Sequence, residues 1–445
     1  MAMKGLPRRP VLSRNKLVLP ALGCGLLAGG ATQAHAQLID RYFPANVPAY
    51  QEWSEAAVPA ASTGLYAPQG VRVGSFTINP GLSESFEYDS NPFGTADAGV
   101  ATGVRNIGSA VIDDALSVTA NSDWSRDGVN ASVTADRVDY LSYPRQSYTT
   151  WTATAGGVID YDAGQILAGY SHIYGVSLPT DVGTFGAAQP IFDQVDDLRI
   201  SDTIGPGRFT LVPAIIGDYY QFSTMAGAAT EASLFNRQAL TTSLTAGYEF
   251  AGGHNALLAL SNTLLNYSGG ISALRPAGYD DVSVMAGLEY RQSALLIYRV
   301  LAGYETRSAT GSGTSRNAIS APAAEADVIW KPSVFTTVTA KLSQGLEDAP
   351  TDIAQGLTET NFQLILDHSL GSDIALNASA RYIRAAFPSS PQIQSVLELS
   401  GMATYYLSRN IAVSLSYEFS NANDSSQNQL SFTRHQVVLQ ARFAL

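Results

Sequence analysis

Residues 411–419 read Ile-Ala-Val-Ser-Leu-Ser-Tyr-Glu-Phe. Ile411, Val413, Leu415, Tyr417 and Phe419 take every second position, and Ala412, Ser414, Ser416 and Glu418 fill the gaps. Successive residues of a strand point to opposite faces, so this stretch is a strand with one apolar face and one small or polar face. The same phase returns elsewhere. Val282, Val284, Ala286, Leu288 and Tyr290 alternate with Ser283, Gly287 and Glu289. Leu240, Leu244, Ala246, Tyr248 and Phe250 alternate with Thr241, Ser243, Thr245, Gly247 and Glu249. At the C-terminus, Val437, Leu439, Ala441, Phe443 and Leu445 stand opposite Gln436, Val438, Gln440 and Arg442.

A half-buried soluble sheet would share this alternation, and three features separate the two cases. The segments run to about ten residues, which suits a tilted membrane-crossing strand better than the usual five or six. The polar face carries Ser, Thr, Gly and occasional charges, as a wet lumen does, while the apolar face often ends in an aromatic residue, as an interfacial girdle does. Above all, the connections alternate in length. Short links fall at 125–128, 161–164, 205–207, 251–254, 291–293, 331–333, 371–372 and 408–410. Longer ones fall near 90–114, 141–148, 176–195, 221–236, 268–280, 307–318, 346–359, 387–395 and 421–433. Eight short and nine long links join eighteen strands, with sixteen as the alternative count. In hydrocarbon every backbone N–H and C=O must be paired within the protein, and a closed barrel achieves this without sheet edges. The expected fold is an all-β, closed antiparallel transmembrane barrel at residues 70–445, with short periplasmic turns, long extracellular loops and both termini periplasmic.

The N-terminal residues follow a different pattern. Lys4, Arg8, Arg9, Arg14 and Lys16 precede an apolar stretch from Leu17 to Gly30, and Ala34-His35-Ala36 has the form of a cleavage site. Residues 1–36 therefore read as a signal peptide cleaved near Ala36, leaving Gln37 as the mature N-terminus. Residues 37–69, with Pro44, Pro48, Pro59 and Pro68, read as a Pro/Ala-rich periplasmic lead-in or plug, with a short helix near 51–57.

Composition fits this reading. Charged residues are only 14%, against roughly 25% in an average soluble chain, yet no apolar run reaches the ~18 residues of a transmembrane helix. The single cysteine, Cys24, lies in the signal segment, so the mature chain forms neither a disulfide nor a thiolate metal site. Removing the five basic residues of that segment leaves 21 basic residues against 38 acidic ones, a balance of −17. Such a balance argues against a nucleic-acid partner.

Two further stretches are more specific. Glu87-Tyr88-Asp89-Ser90-Asn91-Pro92-Phe93 falls at the end of the first strand, and Ser122-Asp123-Trp124-Ser125-Arg126-Asp127 at the first tight turn. These elements resemble the putative β-barrel porin 2 family of Gram-negative outer-membrane proteins. In that family, aromatic-Asp-x-Asn-x-aromatic ends the first strand and Ser/Asn-x-Trp-Ser-Arg makes the first periplasmic turn. Tyr88, Asp89, Asn91, Phe93, Trp124, Ser125 and Arg126 carry the likeness, which implies a porin-like barrel. Asp89 and Asn91 are also good turn formers, and Trp124 suits an aromatic girdle. The final Leu445 departs from the terminal Phe or Trp common to outer-membrane barrels.

No constellation for catalysis appears. His172, His254, His368 and His435 lack metal-ligand spacing, and Asp367 points to the opposite face from His368. No cofactor is expected and the chain is not read as an enzyme. The acidic pairs Asp280-Asp281 and Glu347-Asp348 read as solvated loop charges. The charges opposite the apolar series are the pore-lining candidates: Arg299, Lys341, Arg381 and Arg442 with Glu249, Glu289, Glu305 and Glu418. The expected function is passive diffusion of small polar solutes through an aqueous channel. The alternatives are a barrel accessory to capsule or exopolysaccharide export, which lumenal Tyr and Trp would favour, and a closed structural or surface-interaction barrel, which loops folded over the mouth would favour. Expected partners are outer-membrane lipid and lipopolysaccharide, the barrel-assembly machinery, and a small polar solute or polysaccharide. The oligomeric state is open.

Overall fold

The computed structural model describes residues 47–50, 66–96, 108–182, 184, 189–205, 207–224, 233–268, 278–291, 295–310, 318–348, 356–388, 391–426 and 431–445. The signal segment, the expected cleavage point and the helix near 51–57 lie outside these residues.

A short strand β1 (Val71–Val73) folds back on β2 (Phe76–Asp89). The ring then runs through β3 (Ser109–Ser122), β4 (Gly128–Tyr140), β5 (Tyr148–Tyr161), β6 (Gly164–Ser177), β7 (Ile191–Ile204), β8 (Phe209–Thr224), β9 (Arg237–Ala251) and β10 (His254–Tyr267). It continues through β11 (Gly278–Tyr290), β12 (Leu296–Thr310), β13 (Ile319–Ser333), β14 (Thr336–Glu347), β15 (Leu357–Leu370), β16 (Ile374–Ala386), β17 (Ile393–Tyr406), β18 (Ile411–Asp424) and β19 (Phe432–Ala444). Every neighbour is antiparallel, and β19 pairs with β2 from Gln436↔Asp89 to Ala444↔Gly81, which closes an eighteen-stranded barrel. The strand count and the alternation of short and long connections match the sequence reading. The extra strand β1 was not foreseen, and the turn placed at 331–333 falls one step later, after Ser333.

Local chemistry explains the tight ends. Between β9 and β10, Gly252 and Gly253 both take positive φ, the geometry that a two-residue hairpin requires, and the register shifts at His254/Asn255. The termini are tied together, with Gly70 N–H donating to the Leu445 carbonyl at 3.0 Å and Leu445 N–H to Pro80 at 3.1 Å.

The barrel is inside out relative to a soluble sheet. Leu82, Phe86, Leu116, Leu198, Ile215, Leu258, Leu260, Val284, Leu399 and Leu439 are exposed on the outer wall. In water such a surface would drive association; against hydrocarbon it is the stable face. Aromatics crowd the periplasmic ends: Phe209 and Tyr248 lie 5.0 Å apart, His254 and Tyr290 4.3 Å, and Trp124 meets Phe76 edge-on at 5.9 Å. Among the described residues no helix is long and apolar enough to cross a membrane.

Candidate functional site

The inner face of the barrel is the candidate site, and strand register decides how its side chains meet. From β9 to β19, one row of directly opposed residues reads Glu249, Asn255, Glu289, Arg299, Asp327, Lys341, Gln363, Arg381, Glu398, Ser420 and Arg434. Directly opposed residues share a face. This row lies on the face opposite Val300, Trp330, Leu364 and Leu399, which are exposed on the outside. Glu249 stands near the periplasmic end of β9, and Arg434 near the extracellular start of β19. Because barrel strands tilt, the row climbs the inner wall from one mouth to the other.

Five of the residues singled out from sequence, Glu249, Glu289, Arg299, Lys341 and Arg381, fall in this row. Arg299 pairs with Glu325 at 3.3 Å, Glu289 with Arg291 at 3.1 Å, and Arg381 with Glu398 at 3.7 Å while donating to Asn361 at 3.1 Å. Glu249 accepts Gly253 N–H at 3.1 Å. Glu305, Glu418 and Arg442 occupy other inner rows. Glu305 accepts Leu346 N–H at 2.8 Å, Glu418 opposes Ser400 and Gln436, and Arg442 opposes Ala412 and Ser83.

Two buried knots at the extracellular end went unread in the sequence. In one, Asp89 is fully buried and accepts two hydrogen bonds from Arg434, from Nε at 3.0 Å and from Nη2 at 2.7 Å. Asp89 also accepts Asn91 N–H at 2.8 Å, and Asn91 Nδ2 donates to the Thr95 and Thr433 carbonyls at 2.9 and 3.1 Å. The turn chemistry expected of Asp89 and Asn91 is present, and it also locks the β2–β19 seam. Phe93 packs edge-on against Tyr143 at 4.7 Å, and Tyr88 lies on the exposed outer wall. Trp124 donates to Ser75 Oγ at 3.2 Å and Arg126 to the Asp160 carbonyl at 2.9 Å, in the turn that contains Ser125. Arg434 was legible in principle, since it is in phase with Gln436, Gln440 and Arg442.

The second knot joins Arg307 to Asp281 at 2.8 Å and to Asp348 at 3.0 Å, with Arg237 3.5 Å from Asp348. Arg307 lies 3.9 Å over the Tyr279 ring, and Arg237 4.6 Å over Tyr220. The solvated reading of these loop acids is therefore wrong for Asp281 and Asp348, both of which are buried. Adjacent carboxylates look like a surface run until arginines from other strands reach them. Burial pushes the Asp348 carboxyl up, but Arg237 and Arg307 outweigh it and hold the group below the ordinary carboxylate range.

The connection after β6 turns into the barrel. Leu178 N–H donates to Asp181 at 2.8 Å and Asp181 N–H returns to the Leu178 carbonyl at 3.0 Å, making a compact turn. Its Val182, 1% exposed, packs with Leu357, Ile383, Val396, Ala422 and Phe432 on the inner wall of β15–β19. An apolar anchor thus carries this loop across the lumen.

For chemistry, Asp367 holds Asn377 at 2.8 Å while His368 meets Thr336 at 3.0 Å, so the two neighbours have separate partners. Among the described residues no group of His, Cys, Asp and Glu could hold a metal ion.

A closed eighteen-strand ring with an apolar outer wall and a charged inner wall defines an outer-membrane β-barrel. The model of one family, described as "Putative beta-barrel porin 2", matches residues 64–445, and the chain belongs to that family. Solved structures similar to this chain include OccAB3 of Acinetobacter baumannii, with 11% identity, 84% of this chain and 100% of that one covered, and a TM-score of 0.44. The outer membrane protein opdK of Pseudomonas aeruginosa has 10% identity, coverage of 83% and 99%, and a TM-score of 0.44. OccK2 (OpdF) of Pseudomonas aeruginosa has 9% identity, coverage of 84% and 98%, and a TM-score of 0.46. No curated protein is close enough in sequence to match the chain.

Proposed function

We propose that this barrel is a porin-type channel that passes small polar solutes by diffusion, with the charged inner row as its selectivity element. The observation that carries the reading is the continuity of that row, from Glu249 at one mouth to Arg434 at the other. In a water-filled lumen with low-dielectric walls, fixed charges act strongly on a passing solute, and such a row supplies both signs of charge along the way. Membership of a porin family supports the same reading. Outer-membrane lipid, lipopolysaccharide and the assembly machinery are the partners this location brings.

The test is single-channel conductance in planar bilayers with reversal potentials in a salt gradient. Arg299→Gln and Lys341→Gln remove positive charge from the row, so each shifts preference towards cations. Discrete openings with unchanged selectivity in both variants would refute the assignment of these residues.

A second reading, a closed structural barrel, is favoured by the docking of Val182 against β15–β19. It expects no openings in the native protein or after the loop is unseated. The export reading expects aromatic side chains along the lumen. Trp124, Trp151 and Trp330 are all exposed, at the turn or on the outer wall, whereas Tyr140, Tyr220 and Tyr279 are buried on the inner face, within the two charged knots at the extracellular end.

A further inference from the structure

Residues 47–50 lie among the buried parts of the molecule, far in sequence from the strands they touch. Val47, Pro48, Ala49 and Tyr50 form a tight turn, closed by Tyr50 N–H donating to the Val47 carbonyl at 3.2 Å. Proline stands at the second position, where its fixed φ suits a turn, and Ala49 takes a φ of 74°. A residue with a Cβ rarely adopts that conformation, and it persists where the surroundings impose it. Those surroundings are the inner wall of β5, β6 and β7. Tyr50 Oη donates to the main-chain carbonyl of Asp197 at 3.2 Å, and the Arg199 guanidinium lies 5.1 Å over the Tyr50 ring. Val47 is fully buried.

The wall is recessed to receive this turn. Gly156 and Gly169 are register partners on β5 and β6, and Gly169 opposes Arg199 on β7. A Cβ on Gly156 would collide with the Pro48 carbonyl oxygen and lie 2.8 Å from Val47 Cγ1. A Cβ on Gly169 would collide with the Tyr50 ring and lie 3.2 Å from the Pro48 carbonyl. Neither glycine has positive φ, so neither is required by its own backbone. In a strand interior glycine is unfavourable, and close approach of another backbone is the physical reason to retain it. At the other end of the segment, Tyr66 stacks on Tyr406 at 5.6 Å, beside the periplasmic turn after β17.

We propose that the turn at residues 47–50 is an internal constriction, seated in a glycine recess of β5–β7, which narrows the lumen until it is displaced. This rests on the channel reading above and adds a built-in narrowed state to it. The seat combines a shape match at two glycines, a hydrogen bond and a cation–π contact, all made by one short turn. Opening requires only that this turn leave its recess; no barrel strand need move.

The test joins thiol labelling to conductance. In a chain with Cys24→Ala, Val47→Cys puts a thiol of similar size at a fully buried position of the turn. The proposal expects that thiol to resist a bulky maleimide in the folded, heat-modifiable barrel. Gly169→Leu, which fills the Tyr50 seat without touching the outer wall, should make the same thiol react much faster and raise open probability or conductance. Equal labelling rates with and without Gly169→Leu would overturn the seat. Faster labelling with unchanged conductance would overturn the narrowing. Silence in both proteins would overturn the channel reading itself, and the narrowing with it, while the labelling rates still report where the turn sits.

Discussion

Replacing Asp89 with alanine should be among the most damaging single changes in this barrel. The carboxylate is fully buried and takes two hydrogen bonds from Arg434, at 3.0 and 2.7 Å, across the seam between the first and last strands of the ring. Each charge-assisted hydrogen bond contributes about 1.5–3 kcal/mol. Removing one partner of a buried pair costs about 3–5 kcal/mol, because the other charge is left without compensation. Asp89→Ala strands the Arg434 guanidinium, itself only 3% exposed, and also removes the acceptor for Asn91 N–H. The expected loss is therefore about 3–5 kcal/mol, read from urea-induced unfolding equilibria of the barrel in phospholipid vesicles. The double variant Asp89→Ala with Arg434→Met removes both charges and should recover most of that loss, since apolar replacement of a whole buried pair is often neutral. A loss below about 1 kcal/mol for the single variant would refute the reasoning, as would a double variant whose loss equals the sum of the two single losses.

Three other outcomes follow from the geometry. Leu258→Arg, on the lipid face of β10, should destabilise the barrel by about 2–4 kcal/mol, whereas Ser261→Arg on the opposite face should cost far less in the same unfolding assay. Val182→Asp puts a carboxylate into the apolar seat on β15–β19 and should unseat the inward loop; chymotrypsin cleavage at Phe185 then becomes faster, and on the channel reading conductance rises. Asp348 has its pKa held below the unfolded value of about 3.9, so its contribution to stability is fully present at neutral pH and is lost as pH falls through the folded value. The thermal midpoint of the native barrel should drop on acidification below about pH 4, and the gap between it and Asp348→Asn should close over that window. A gap independent of pH would remove Asp348 from the acid response.

What was legible in the sequence is what depends on near neighbours. Alternation is a property of adjacent residues, so Ile411 through Phe419 already declare which face meets lipid. Link length is equally local, and alternating short and long links are enough for the strand count and the placement of both termini. The turn roles of Asp89 and Asn91 belong to the same class, because their first partners lie within a few residues. Register does not. That Glu249, Glu289, Arg299, Lys341 and Arg381 fall into one climbing row depends on how each pair of strands slides, and each slide is set by many weak contacts at once. Arg434 reaches Asp89 over 345 positions of chain, and Val182 reaches the far wall because its loop turns inward; no pattern of neighbours records either. Asp281 and Asp348 show the difference most clearly: two acids beside other acids look solvated, and only the register of β11 on β12 and the inward curve of β9–β14 bring Arg237 and Arg307 against them. The sequence by itself determined the faces, the strands and the sidedness of this protein, because those are set by short-range periodicity. The tertiary structure decided which charges meet and what occupies the lumen, because burial and pairing depend on groups that become neighbours only when strands take their register and the ring closes.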